Sequence, residues 1–250
     1  MQPFIANVKN ELFKLRKRKK YLVFLILGVL LCVGSALRVV LANLILDQEV
    51  PRKVLLGGLA GENLLFLLLV FLPLMALLGC CDLFAGEQGD HTIRFSLMRP
   101  IGKGKLFFSK AAAVFLLCLF DLVVLVGVSI AAQVGLGGGG QGVVRAMASG
   151  LLDLIPLAVL ILFFCLLNQL VKGSGLAVVA CLAAYVVLVL VGTYVPAAGG
   201  LLFTGYLRWH HLWVGVTLPF FSLLSRIGIL AGYGLVFACC GYLLFDRKDA

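Results

Sequence analysis

At 250 residues the chain is long enough for one ordinary domain, yet 62% of it is hydrophobic and only 13% charged. Soluble domains are about half apolar and about a quarter charged, so a mean hydropathy of +1.13 excludes a soluble globule. A net charge of +10 would suit a nucleic acid, but the basic residues gather at the ends of apolar runs, and this pattern points to a membrane and to no nucleic-acid partner. The runs are continuous and near 20 residues long, which favours helices over a barrel of alternating strands.

In residues 1–20, Phe4, Val8, Leu12 and Leu15 recur at helical spacing against Lys9, Lys14 and the run from Arg16 to Lys20. That is the pattern of an amphipathic interfacial helix on an anionic leaflet, with a solvated basic tail as the alternative. The first apolar span covers 21–46. Its basic start and Gly34-Ser35-Ala36 mimic a cleaved signal peptide, but apolar character resumes after Arg38, so it reads as a retained helix. A polar connection around Pro51 leads to a second span at 63–81. The hydrophilic stretch 82–106 precedes a third span at 107–134, and the glycines from Gly135 to Gly140 form a loop. Span four is expected at 151–171, a tight turn at Lys172-Gly173-Ser174-Gly175, and span five at 176–195. Residues 196–225 contain Pro196, Gly199, Gly200 and Pro219, with Trp209 and Trp213 beside His210 and His211. This stretch is too broken for a span and reads as an extracytoplasmic re-entrant or interfacial segment. Span six covers 227–245.

The expected fold is therefore all-α and polytopic, a single transmembrane domain over 1–250 with six transmembrane helices and an interfacial N-terminal helix. Lysine and arginine are more numerous on the side that holds both termini, which places the termini in the cytoplasm.

Few residues offer chemistry. Gly102-Lys103 and Gly104-Lys105 lack the remainder of a P-loop. Gly127-Val128-Ser129-Ile130-Ala131 has the form of a serine-nucleophile turn, and His210 or His211 would supply the base of an intramembrane protease. The opposing reading makes Gly127 and Ala131, like Gly228 and Gly232, small residues for close helix approach. The eight cysteines fall in or beside the spans and read as packing residues. A soft-metal site at Cys80-Cys81 or Cys239-Cys240 is the alternative, and no metal site is expected. Asp121 lies eleven residues past Lys110, about 16 Å along a helix at ~1.5 Å per residue, which is near mid-membrane. An acidic group there costs roughly 2.5–3.5 kcal/mol on insertion scales. It either lines a translocation path, as in a secondary transporter or channel, or pairs with a neighbouring helix.

The stretch 82–106 is more organised than a linker. Ile93, Leu97 and Ile101 repeat at four-residue spacing among Arg94 and Arg99, which makes a short amphipathic helix suited to a partner surface. With Glu11-Leu12-Phe13-Lys14-Leu15 before span one, and Glu87, Gly89, Thr92, Leu97, Pro100, Lys103 or Lys105 and Ser109-Lys110 before span three, the chain resembles the ABC-2 type permeases. These include the six-helix subunits of bacterial antimicrobial-peptide and lantibiotic export or immunity systems. Gly89 and Thr92 are separated here, whereas the family pattern has them adjacent.

The resemblance implies a permease subunit in the bacterial cytoplasmic membrane, in contact with lipid and paired with a second copy or a sibling permease. Separate P-loop ATPase subunits would carry ATP and Mg, and this chain itself would bind no cofactor and hold no catalytic residue. The implied coupling helix would dock through Glu87, Ile93, Arg94, Leu97, Arg99 and Pro100. Glu87 would also hold that segment against the N-terminal helix.

Overall fold

The structure is a computed structural model that describes residues 2–45, 59–90, 102–137, 142–171, 173–195, 199–207, 209 and 220–248. Among them are six helices long and apolar enough to cross a bilayer, and the protein is an all-α polytopic membrane protein. Helix α1 is Gln2–Lys17 and α2 is Lys19–Ile45. The continuous helix Leu59–Gly89 is α3, and α4 is Lys103–Gly135. The fourth crossing is built from α5 (Val143–Leu152) and α6 (Leu154–Leu170), which meet at Asp153. Helix α7 is Ser174–Tyr194 and α8 is Phe220–Lys248. Gly173 has φ 95° in the turn between α6 and α7, a backbone conformation that favours glycine.

Helices α3, α4 and α6 make the inside of the bundle. The most apolar stretches of α3, α4 and the α5–α6 crossing are 67%, 50% and 56% buried, against 17% in each of α2, α7 and α8. The outer helices keep leucine and valine on their free faces, as lipid requires: Leu30, Val187 and Leu235 are all exposed. Helix α2 packs on α4, α8 on α6, and α7 on α3 and α6.

Two π-helical turns shape α3. The first, Leu67–Phe71, precedes Pro73. A proline has no N–H for the carbonyl four residues back, and the Tyr185 hydroxyl donates to that carbonyl, Leu69 O, at 2.6 Å. The second turn, Asp82–Gly86, carries α3 on to Gly89. The helix thus runs eight residues beyond position 81, where the apolar pattern stops, and α4 begins at Lys103, ahead of 107.

Both chain ends lie at one end of the bundle. Asp246 of α8 pairs with Lys103 of α4 at 3.3 Å, and Asn7 of α1 donates a hydrogen bond to Ser109 of α4. Phe84, Phe107 and Phe245 pack there with ring centroids 5.5–6.2 Å apart and close the core. At the far end, Asn63 of α3 donates to Ser129 of α4 at 3.1 Å and the Ala60 N–H donates to Gln133 at 3.3 Å. Interhelical hydrogen bonds of this kind contribute about 0.6 kcal/mol each.

Close helix approach uses other glycines than the small-residue pairs of the sequence. Added Cβ atoms at Gly127, Gly228 and Gly232 meet nothing within 4 Å, whereas one at Gly28 lies 2.9 Å from Phe71 Cζ and 3.0 Å from Leu125. Gly28 therefore seats α2 against α3 and α4. Gly28→Leu is expected to wedge α2 outward and destabilise the fold by about 1–3 kcal/mol. Thermal unfolding in detergent would read this as a lower midpoint, with Gly127→Leu as the unaffected control.

Candidate functional site

Helix α1 is amphipathic, but its inward stripe carries polar groups as well as apolar ones. Asn7, Val8, Glu11 and Leu15, spaced by three and four residues, are buried, while Ile5 and Phe13 are exposed. The pairings Asn7–Ser109, Glu11–Lys110 and Arg16–Phe120 advance in the same direction along both helices. Helix α1 therefore lies lengthwise and parallel against the first turns of α4.

Four charges meet where α1, α3 and α4 converge. Lys110 Nζ donates to Glu87 Oε2 at 2.6 Å and to the Leu83 carbonyl at 3.1 Å, and lies 3.5 Å from Glu11 Oε2. Lys14 Nζ reaches Glu11 at 3.0 Å and Glu87 at 2.9 Å. Glu11 and Lys110 are 0% exposed and Glu87 7%. Two carboxylates thus balance two ammonium groups, and Leu83 offers its carbonyl from within the second π-helical turn. Burial opposes charge on Lys14, but its hydrogen bonds to Glu87 and Glu11 and their negative charge prevail, so its pKa lies above the ordinary lysine value.

A second cluster sits about one turn earlier in α3. Asp82 accepts from Lys20 at 2.6 Å, pairs with Arg18 at 2.9 Å, and accepts the Tyr21 hydroxyl. It clamps the α1–α2 corner to α3. Gln88 donates to Gln169 at 2.8 Å and ties the end of α3 to the end of α6.

Of the residues singled out in the sequence, the structure puts Glu87 in the four-charge cluster. Ile93, Arg94, Leu97, Arg99 and Pro100 lie outside the described residues, as do His210 and His211. Ser129 is 0% exposed near the C-terminal end of α4, where its hydroxyl donates to the Leu125 carbonyl at 2.9 Å and accepts from Asn63. It sits inside a continuous helix, not on a strained turn. Cys80 and Cys165, both buried, lie 3.6 Å apart between α3 and α6, while Cys239 and Cys240 are exposed on α8.

Asp121 is shallower than its distance from Lys110 implies. Gly28 of α2 is level with Leu125 of α4, so Asp121 is level with about residue 24, roughly five residues or ~7 Å beyond the basic corner at Arg16–Lys20. It is 2% exposed. Its Oδ2 is buried, and no donor among the described residues reaches it. It lines a cavity of about 210 Å³ shared with Leu12, Arg16, Leu25, Leu116 and Phe120, bounded by α1, α2 and α4.

The three-residue spacing of Glu11 and Lys14 is visible in the sequence, but nothing in the sequence brought this pair together with Lys110. The pairs between helices are far apart in the chain: Lys14 and Glu87 by 73 residues, and Glu87 and Lys110 by 23. The only local signal was a carboxylate or lysine at the edge of an apolar run.

A family model described as ABC-2 family transporter protein matches residues 7–183, a stretch that contains both charge clusters and Asp121. No curated protein matches the chain.

Proposed function

This chain belongs to the ABC-2 family of transporter proteins, and from that membership we propose that it exports its substrate by coupling to a separate P-loop ATPase through residues 82–106. It is a multi-pass permease component and not itself a catalyst. In the proposed assembly, two permeases (two copies, or one with a sibling) sit in the bacterial cytoplasmic membrane with both termini in the cytoplasm. ATP and Mg are held by the ATPases. The Glu11-Leu12-Phe13-Lys14-Leu15 motif supports the permease reading, and a place among the antimicrobial-peptide export or immunity subunits is part of the proposal.

The observation that carries this reading is the four-charge cluster at the root of the coupling segment. Glu87 lies two residues before the end of α3 and binds Lys14 of α1 and Lys110 of α4. Separating buried, hydrogen-bonded charges costs about 3–5 kcal/mol, so a push on the segment moves α1, α3 and α4 together instead of flexing a loop. ATP-driven closure of the ATPases would draw two such units and open the path between the permeases. Ile93, Arg94, Leu97 and Arg99 would make the docking surface, with Pro100 fixing the turn after it.

The test is co-purification of the tagged chain from its native host in mild detergent. A near-stoichiometric soluble ATPase is expected, and Arg94→Glu with Leu97→Ala should remove it while the permease remains monodisperse. A chain that purifies alone and still moves substrate would overturn the reading.

A further inference from the structure

We propose that the crevice at Asp121 is a binding site for a cationic amphiphile, with an ammonium group on the Asp121 carboxylate and an alkyl body along α2 and α4. The inference concerns ligand binding, and it stands or falls apart from ATPase coupling.

Three observations carry it. The first is the carboxylate. Asp121 is 2% exposed, and its Oδ2 has no donor among the described residues, whereas the buried carboxylates Glu11, Asp82 and Glu87 all have ion-pair partners. A buried anion without a partner is costly, and a ligand cation that also donates N–H removes that cost.

The second is the lining. Around the carboxylate most of the wall is leucine (Leu12, Leu25, Leu116 and Leu117), with Tyr21 and Phe120, and the cavity of about 210 Å³ is several times the ~30 Å³ that a water occupies. That space fits an alkyl chain of several carbons and is too apolar for a hydrated inorganic cation.

The third is position. The crevice opens past Leu22 and Phe120, which are 60% and 50% exposed on the outer surface of α2 and α4. It lies ~7 Å beyond the basic corner, where an amphiphile in that leaflet has its headgroup close by. Arg16 lines the same crevice and would repel a cation placed beside it. Its guanidinium is held over the Phe120 ring, 5.9 Å from the centroid, and makes no ion pair with Asp121.

The ammonium has two sources, an amine-bearing membrane lipid or a soluble amphiphile taken up from the leaflet. The experiment uses the full chain in a non-ionic detergent and titrates decylammonium, with decanol, decyl sulfate and methylammonium as controls for charge, sign and tail. Saturable thermal stabilisation by decylammonium alone is expected. Asp121→Asn should weaken it by about thirtyfold or more, the equivalent of about 2 kcal/mol. Leu25→Trp, which fills the crevice and keeps the carboxylate, should weaken it likewise, so a folding defect at Asp121 does not leave the proposal untested. Native mass spectrometry then identifies the source. An aminophospholipid that co-purifies with the parent chain and is lost from Asp121→Asn supports the site with lipid as its occupant. Decylammonium binding with no such lipid supports it with a soluble amphiphile. Equal stabilisation by decanol, or unchanged decylammonium binding in both variants, overturns it.

Discussion

Lys110→Met is expected to remove most of the folded protein, and Lys110→Met with Glu87→Met is expected to restore part of it. Lys110 is 0% exposed and serves Glu87 at 2.6 Å, Glu11 at 3.5 Å and the Leu83 carbonyl at 3.1 Å. Methionine matches its length and apolar stem but leaves two buried carboxylates with only Lys14 between them. Removing one partner of a buried pair costs about 3–5 kcal/mol, which is comparable to the whole stability of a marginal protein. The double change deletes one carboxylate with the lysine and leaves the balanced pair Glu11–Lys14 at 3.0 Å. Fluorescence-detected size exclusion and the thermal midpoint of what is recovered provide the readout. If the single variant were as stable as the parent, the cluster would not be buried as described.

Glu87→Gln separates coupling from docking. The amide keeps the shape of the side chain and one acceptor for Lys110; Glu11 balances Lys110, while Lys14, whose side chain is 36% exposed, carries its unmatched charge toward water, so the bundle folds. What weakens is the joint between the end of α3 and its two neighbours, α1 through Lys14 and α4 through Lys110. In reconstituted vesicles the ATPase is expected to stay bound and to keep hydrolysing ATP, while transport per ATP falls by about tenfold or more, within the usual range of coupling energies of ~1–3 kcal/mol. Loss of the ATPase from the purified complex would make Glu87 a docking residue instead of a transmitting one.

The crossings were legible because lipid allows so few solutions. A backbone with no water to bind must be helical, and a helix must be apolar for about 20 residues to cross. Hydropathy along the chain therefore located all six, with the turn at Gly173 between the fourth and the fifth. The helix ends were not legible. Asp82 and Glu87 read as part of a hydrophilic stretch because charge lowers a hydropathy average, yet each is paired, so α3 continues to Gly89; α4 likewise starts at Lys103, ahead of 107. The glycine contacts were also hidden. Spacing of four residues marked Gly127 and Gly228, but only the packing shows that Gly28, with no such partner, meets Phe71 and Leu125.

By itself, then, the sequence determined the solvent, the number of crossings, the basic face of the chain and the resemblance that family membership bears out. Those follow from composition and local periodicity, which act over a few turns of helix. Only the tertiary structure decided that Glu11, Lys14, Glu87 and Lys110 form one neutral cluster, and that Asp121 faces a crevice near the basic corner. Those depend on how helices far apart in the chain come to lie side by side. In a low-dielectric interior, that placement determines whether a charge is a cost, a clamp or a place for a ligand.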